Sequence, residues 1–244
     1  MSAIFKEAKF DQPDYFEFTK ENLVKAKKLM EQYPEGKQQA AVMPLLHLAQ
    51  EQHHNWLPRA AMFYIADMLE MPPIKVFEVA HFYTMYNKQP VGRNLVQVCR
   101  TTPCWLRGAD ALSEVCRNKL GIDMGETTID GAFTLIEVEC LGACVNAPVV
   151  QINNDYYEDL SPDDISDILD ELAQGDEPRA GSYQARQCSA PVGHAHKGAP
   201  AARAPSKRVQ KKPALENAKL DFGDESGKDD KKSVRNTKKT RAKK

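Results

Sequence analysis

The sequence predicts a mixed α/β (α+β) chain: a helical bundle at 12–90, a compact strand–helix layer at 91–175, and a basic tail at 176–244 expected to be disordered. Three observations predict it. Apolar residues recur at helical spacing through the first ninety residues. Short β-rich runs then alternate with two amphipathic helices. Beyond Gly175, Gly, Pro, Ala, Lys and polar residues prevail without sustained periodicity.

In Asn22–Tyr33, Leu23, Ala26 and Met30 share a helical face, and Pro34-Glu35-Gly36 stops the run. Val42, Leu45, Leu46 and Ala49 form a second stripe, in which Pro44 is tolerable only in the first turn, where no intrahelical N–H is lost. Pro58 opens a third segment with Ala61, Ile65 and Met68 on one face. A fourth follows Pro72-Pro73, with Val76, Val79, Ala80 and Tyr83 inward, and is expected to run to about Tyr86.

The period then changes. Leu95–Val98 reads as a strand running into Cys99, and Ala109–Leu120 as a helix with Leu112, Val115, Cys116 and Leu120 inward. Phe133–Val138 reads as a second strand, running into Cys140. Val149–Ile152 and Asp155–Glu158 suit a hairpin across Asn153-Asn154. Ser161 with Asp164 three residues on caps a last helix, striped by Ile165, Ile168, Leu169 and Leu172. This order of elements is of thioredoxin-like type.

The formal net charge of −1 hides an asymmetry. Residues 201–244 carry 15 Lys+Arg against 6 Asp+Glu, about +9, which leaves about −10 on residues 1–200. No run of eighteen apolar residues predicts a membrane span. The start, MSAIFKEAKFDQPDYFEF, lacks an apolar signal core and is too acidic for a transit peptide, so a reducing compartment such as a bacterial cytoplasm is expected. There, six cysteines read as metal ligands or catalysts before disulfides.

Four of them form two pairs, Cys99-x4-Cys104 and Cys140-x3-Cys144, each directly after a strand. If the strands are neighbours, four thiolates surround one point. A [2Fe–2S] cluster needs that: two irons bridged by sulfide, each completed by two cysteines. Gly142 and Ala143 leave backbone N–H groups able to approach sulfur, and Cys104 is expected near a helix start, where the dipole favours negative charge. Pro103 stiffens the loop. A thioredoxin-type dithiol would need Cys-x-x-Cys, which is absent. Structural zinc remains open on spacing alone, although paired Cys-x2-Cys knuckles are its commoner form. Cys116 reads as a buried core residue, and Cys188 has no partner pattern.

These residues resemble a known family, the thioredoxin-like [2Fe–2S] ferredoxin subunit of respiratory complex I, NADH:quinone oxidoreductase. The matching stretches are Tyr33-Pro-Glu-Gly36, Ala41-Val-Met-Pro-Leu-Leu46, Trp56-Leu-Pro, Glu78-Val-Ala-His-Phe-Tyr-Thr-Met-Tyr86, Cys99-x4-Cys104 and Glu139-Cys-Leu-Gly-Ala-Cys-Val-Asn-Ala-Pro148. They run in the family's order across about 12–174. The resemblance implies a cluster in place of zinc, held by Cys99 and Cys104 on one iron and Cys140 and Cys144 on the other. It also implies a flavoprotein partner that binds FMN and NADH, neighbouring peripheral-arm subunits, and a site on the cytoplasmic side of a bacterial inner membrane or its mitochondrial equivalent. This chain itself has no nucleotide-binding fingerprint. Related subunits serve NAD-linked formate dehydrogenases and NAD-reducing hydrogenases, and the motifs do not separate these. Thioredoxin-like folds often carry a cis proline just after such a loop, which makes Ala147–Pro148 a candidate.

A nucleic-acid binder is a different class, with a helix-turn-helix at Pro58–Tyr86 and a basic arm at Lys238–Lys244. Ile74–Tyr86 carries only Lys75 and Glu78, and the arm's approaches hold Asp221, Asp224, Glu225, Asp229 and Asp230, which argues against groove reading. The tail suits an electrostatic arm towards the acidic body, an acidic partner or anionic lipid, or else a solubilising extension. His53-His54 read as surface histidines and His81 as a packed or partner-facing one; His194 and His196 lie in the tail. No Ser/His/Asp or paired-carboxylate set supports independent hydrolysis.

Overall fold

Four helices account for the first ninety residues of the computed structural model, which describes residues 10–189. Helix α1 (Lys20–Glu31) starts where Thr19 accepts a hydrogen bond from the Asn22 N–H. Helix α2 (Val42–Gln52) has Pro44 in its first turn, as required. Helix α3 (Arg59–Met68) opens after Pro58, and α4 (Pro73–Phe82) after Pro72. Their inner faces meet in one apolar cluster that includes Leu45, Leu46, Leu57, Met62, Ile65 and Val76. Phe16 and Phe18 close it from outside, edge-on to Tyr64.

The fourth helix is shorter than its pattern suggests. It stops at Phe82, Tyr83 is extended and partly exposed, and the chain turns so that the Tyr86 ring becomes buried. The Tyr86 hydroxyl donates to the Met43 carbonyl at 2.9 Å. Gln50 holds the turn by donating to the Met85 carbonyl and accepting from the Asn87 N–H. Burial of one large ring with a satisfied hydroxyl outweighs another turn of exposed helix.

The second half is a mixed sheet in the order β2-β3-β1-β4-β5-β6. The strands are β1 (Asn94–Cys99), β2 (Glu126–Thr127), β3 (Phe133–Val138), β4 (Val149–Ile152), β5 (Asp155–Glu158) and β6 (Gly181–Ser182). Between β1 and β2 lie a short helix α5 (Thr102–Leu106) and the amphipathic α6 (Ala109–Leu120); α7 (Pro162–Gln174) precedes β6. The Ser161/Asp164 capping box is formed. Strands β1 and β3 are parallel, with Asn94 opposite Phe133 and Cys99 opposite Val138, while β4 runs antiparallel to β1. Val96, Val98, Leu135, Val150 and Ile165 fill the core between the sheet and helices α6 and α7.

Gly92 enters β1 where a Cβ atom would lie 2.6 Å from the Phe133 carbonyl carbon, so only glycine permits this approach. At the β4–β5 turn, Asn153 (φ 52°) accepts from the Leu95 N–H at 2.9 Å and from Asn55 at 3.1 Å, and donates to the Arg93 carbonyl. Beside it, Asn154 donates to Glu51 at the end of α2. These amides tie the helices to the sheet.

Strands β2 and β6 and helix α5 are not foreshadowed by any apolar period. Residues 181–189, assigned above to a disordered tail, instead lie against β5: Tyr157 pairs with Gly181 and Glu158 with Ser182. No apolar period marks them because polar bonds hold them. The remainder of the expected tail, with His194, His196 and the Lys-rich stretch, lies outside the described residues.

Candidate metal centre

Parallel pairing of β1 and β3 brings both strands to the same sheet end, so Cys99 and the Cys140 loop emerge side by side. Cys99 is the last residue of β1. Cys140 lies two positions past the end of β3, Cys104 sits within α5, and Cys144 opens a single 3-10 turn, Cys144–Asn146. The four thiols form two pairs. The Cys140 and Cys144 Sγ atoms are 3.4 Å apart, and Cys104 shares a side-chain hydrogen bond with Cys99. Cys99 and Cys104 are buried, whereas Cys140 and Cys144 are exposed. Among the described residues, no three Cys, His, Asp or Glu side chains converge as a single bound ion would require.

The loops are held by a small apolar cluster that includes Ala143, Ala147 and Val149, and by polar bonds. Gly142, at φ 83°, turns its N–H onto the Cys140 sulfur at 3.4 Å, a geometry that favours glycine. The Tyr156 hydroxyl donates to the Leu141 carbonyl at 2.9 Å. The Thr101 hydroxyl lies 3.4 Å from the Cys99 sulfur and also reaches Cys140, so one side chain touches both pairs. The Ala147–Pro148 bond is cis, as expected at this place.

These contacts shift the thiols in opposite senses. Burial pushes Cys99 up, but hydrogen bonds from the Thr101 side chain and from the Leu141 and Thr101 backbone outweigh it, and the net shift is downward. Cys140 is lowered by the Gly142 N–H first, then by Cys144 and Thr101. Cys104 is pushed up to about 12 by burial and by its bond with Cys99. Cys144 is raised through its bond with Cys140. Within each pair the hydrogen bonds thus favour the charged form of one sulfur, Cys99 or Cys140, over that of its neighbour. Cys104 does lie in the first turn of a helix, but α5 has only five residues, and burial is the largest influence on the thiol.

Such a donor set suits a dinuclear cluster. It offers two thiol pairs at one end of the sheet, and backbone and hydroxyl donors already point at sulfur, as cluster thiolates require. Cys116 lies elsewhere, fully buried under the sheet, where burial pushes its thiol up to about 12. Cys188 is half-buried on the segment beside β5. His53 is less superficial than expected: its ring packs edge-on against Trp56 at 4.7 Å, with Nδ1 buried. His81 stays exposed, its Nδ1 2.9 Å from the Phe77 carbonyl.

Sequence reasoning missed Thr101 and Tyr156. Thr101 carried a usable signal, a hydroxyl two residues past a candidate ligand. Tyr156 carried none, because its role depends on β5 crossing beneath the loop.

A family model for the thioredoxin-like [2Fe-2S] ferredoxin matches residues 26–173. A subunit of the NADH-quinone oxidoreductase of Rickettsia bellii (strain RML369-C) is 56% identical over 157 residues, spanning 64% of this chain and 94% of that protein. The mitochondrial NADH dehydrogenase [ubiquinone] flavoprotein 2 of Dictyostelium discoideum is 47% identical over 174 residues, 71% of this chain and 70% of that one. A solved thioredoxin-like [2Fe-2S] ferredoxin from Aquifex aeolicus aligns with 35% of this chain and 84% of its own at 23% identity and a TM-score of 0.30.

Proposed function

Because the chain belongs to the thioredoxin-like [2Fe-2S] ferredoxin family, we propose that its cluster is held by Cys99 and Cys104 on one iron and by Cys140 and Cys144 on the other. The chain is an electron-transfer subunit of NADH-quinone oxidoreductase, and other subunits of that complex are its partners. A bound [2Fe–2S] cluster supplies reversible one-electron chemistry. The observation that supports the ligand set is the meeting of two thiol pairs at one end of the β1–β3 pair, with Thr101 reaching both. The protein's own work is to hold the thiolates, direct N–H and O–H donors at them and keep one pair from water.

The flavoprotein that binds FMN and NADH is the proposed immediate partner. Cys140 and Cys144 are exposed, and the residues next to the cysteines leave large apolar surface uncovered: Trp105 is 52%, Leu106 70% and Val145 85% exposed. Such a rim of aromatic and aliphatic groups fits a protein interface better than water. No helix among the described residues is long and apolar enough to cross a membrane. The proposed place is peripheral, on the cytoplasmic side of a bacterial inner membrane.

Iron and acid-labile sulfide on the purified full chain, with its visible and EPR spectra, test the ligand set. Two irons and two sulfides are expected, and serine at Cys99, Cys104, Cys140 or Cys144 should abolish or alter the spectrum. A colourless protein with one zinc would overturn the proposal. Leu106→Glu with Val145→Glu should leave the cluster in place and abolish co-purification with the flavoprotein. Retained assembly would remove this face as the contact.

A further inference from the structure

The segment after the last helix carries an Arg–Asp fork that closes onto the Cys144 loop. Asp159 sits just past β5 in the left-handed region (φ 58°), with its side chain fully buried. Its Oδ1 accepts from Arg186 Nη2 at 2.5 Å, and its Oδ2 accepts from Arg186 Nε at 2.9 Å and from the Ser182 hydroxyl at 2.5 Å. The same Arg186 Nη2 donates to the Val145 carbonyl at 2.6 Å. The Asp159 N–H donates to the Asn146 carbonyl at 2.8 Å. Val145 and Asn146 immediately follow Cys144. The bonds thus form a closed circuit: loop carbonyl, guanidinium, carboxylate, backbone N–H, adjacent loop carbonyl.

A second set reinforces it. The Asn146 side chain donates to buried Glu158 at 2.6 Å and to the Gln187 carbonyl at 2.7 Å, and Ser189 bonds Glu158 through its N–H and its hydroxyl. An aliphatic loop anchor would only exclude water. This one places a fixed cation and a buried anion beside a proposed ligand, and each charge matters more in a partly buried site than in water.

We propose that residues 181–189 form a strap, and that Arg186 is a positioning residue that fixes the Cys144 loop and sets the electrostatic field at the cluster. This rests on the cluster assignment above. Reduction adds one electron to the site, so nearby positive charge favours the reduced state and nearby negative charge the oxidised one. In Arg186→Gln, buried Asp159 remains without its counter-charge, and the midpoint potential should fall. In Asp159→Asn, the guanidinium loses its bonded counter-charge while the more weakly acting Glu158 is unchanged, and the potential should rise. A purely structural strap would not give opposite signs for two substitutions that break the same ion pair.

The test uses the full chain reconstituted with iron and sulfide. Midpoint potentials come from EPR-monitored titration, with thermal unfolding and the rate of iron loss to a chelator measured alongside. Expected are a lower potential for Arg186→Gln, a higher one for Asp159→Asn, changed EPR g-values in both, and faster iron loss in both. Arg186→Lys keeps the charge and one contact but cannot span Asp159 and Val145 together. It should stay folded and hold a near-native potential while losing iron faster, and it carries the test if Arg186→Gln does not fold. Equal potentials in wild type and both charge variants, or shifts of the same sign, would overturn the field role. Unchanged iron loss in all three variants would overturn the positioning role. A wild-type chain that takes up no iron and sulfide would instead sink the cluster assignment itself.

Discussion

Replacing Cys116 by serine should separate a core cysteine from a ligand. Its side chain is fully buried among Leu112, Leu135, Ile165 and Leu169. Serine there exchanges a weakly polar thiol for a hydroxyl that must be satisfied. One turn earlier on the same helix, Ser113 already has a buried hydroxyl without a partner, so this face offers little to bond except the helix's own carbonyls. The cost is therefore that of burying a poorly satisfied hydroxyl plus lost packing, about 1–3 kcal/mol. For a chain of this size that corresponds to a melting temperature lower by roughly 3–10 °C. Thermal denaturation followed by circular dichroism reads the loss, and the cluster's visible spectrum reads its content in the same sample. The expected result is a lower melting temperature with full cluster content. A folded Cys116→Ser protein without its cluster would make Cys116 a ligand and refute the assignment of the two loops.

Gly92→Ala should destabilise the chain by about 1–3 kcal/mol in denaturant titration, because its Cβ would meet rigid backbone at 2.6 Å; an unchanged midpoint would deny the close approach. His53 has its pKa held below the ordinary 6.5, by burial first and then by repulsion from His54. The folded state therefore resists its protonation, and the stability it contributes above about pH 6.5 is lost as pH falls. His53→Phe should flatten the acid side of the stability profile, and an unchanged slope below pH 6.5 would show that His53 plays no part. Truncation after residue 189 should leave the cluster spectrum intact, whereas truncation after residue 179 removes the Arg186 strap and should weaken cluster retention. Equal behaviour of the two would make the strap dispensable.

Most of the fold was legible because hydrophobic period carries it. The boundaries of β3, β4, β5 and α6 follow directly from apolar spacing, and the capping box at Ser161 from two side chains. The neighbouring of β1 and β3, only a condition in the sequence, is met by their parallel pairing. What escaped reading is held by polar or positional bonds. Strand β6 comprises only Gly181 and Ser182 and is fixed by Asp159 and Glu158, residues some twenty positions away. The end of α4 depended on where Tyr86 could bury its ring. At the site, the cysteines and the glycine were visible from spacing. The different burial of the two pairs was not, because it depends on what covers each loop.

The β1–β3 register has a consequence for length variation. Cys99 lies opposite Val138, and that alignment sets where along the sheet the two cysteine loops begin. An insertion of one residue within Phe133–Val138 would advance the following loop by about 3.3 Å and send each later side chain to the other face of the sheet. Gly121–Asp130 can absorb added residues far more readily, since it carries only the two-residue edge strand β2 and lies outside the β1–β3 alignment. Natural or engineered length changes should therefore accumulate before Phe133 and stop at it.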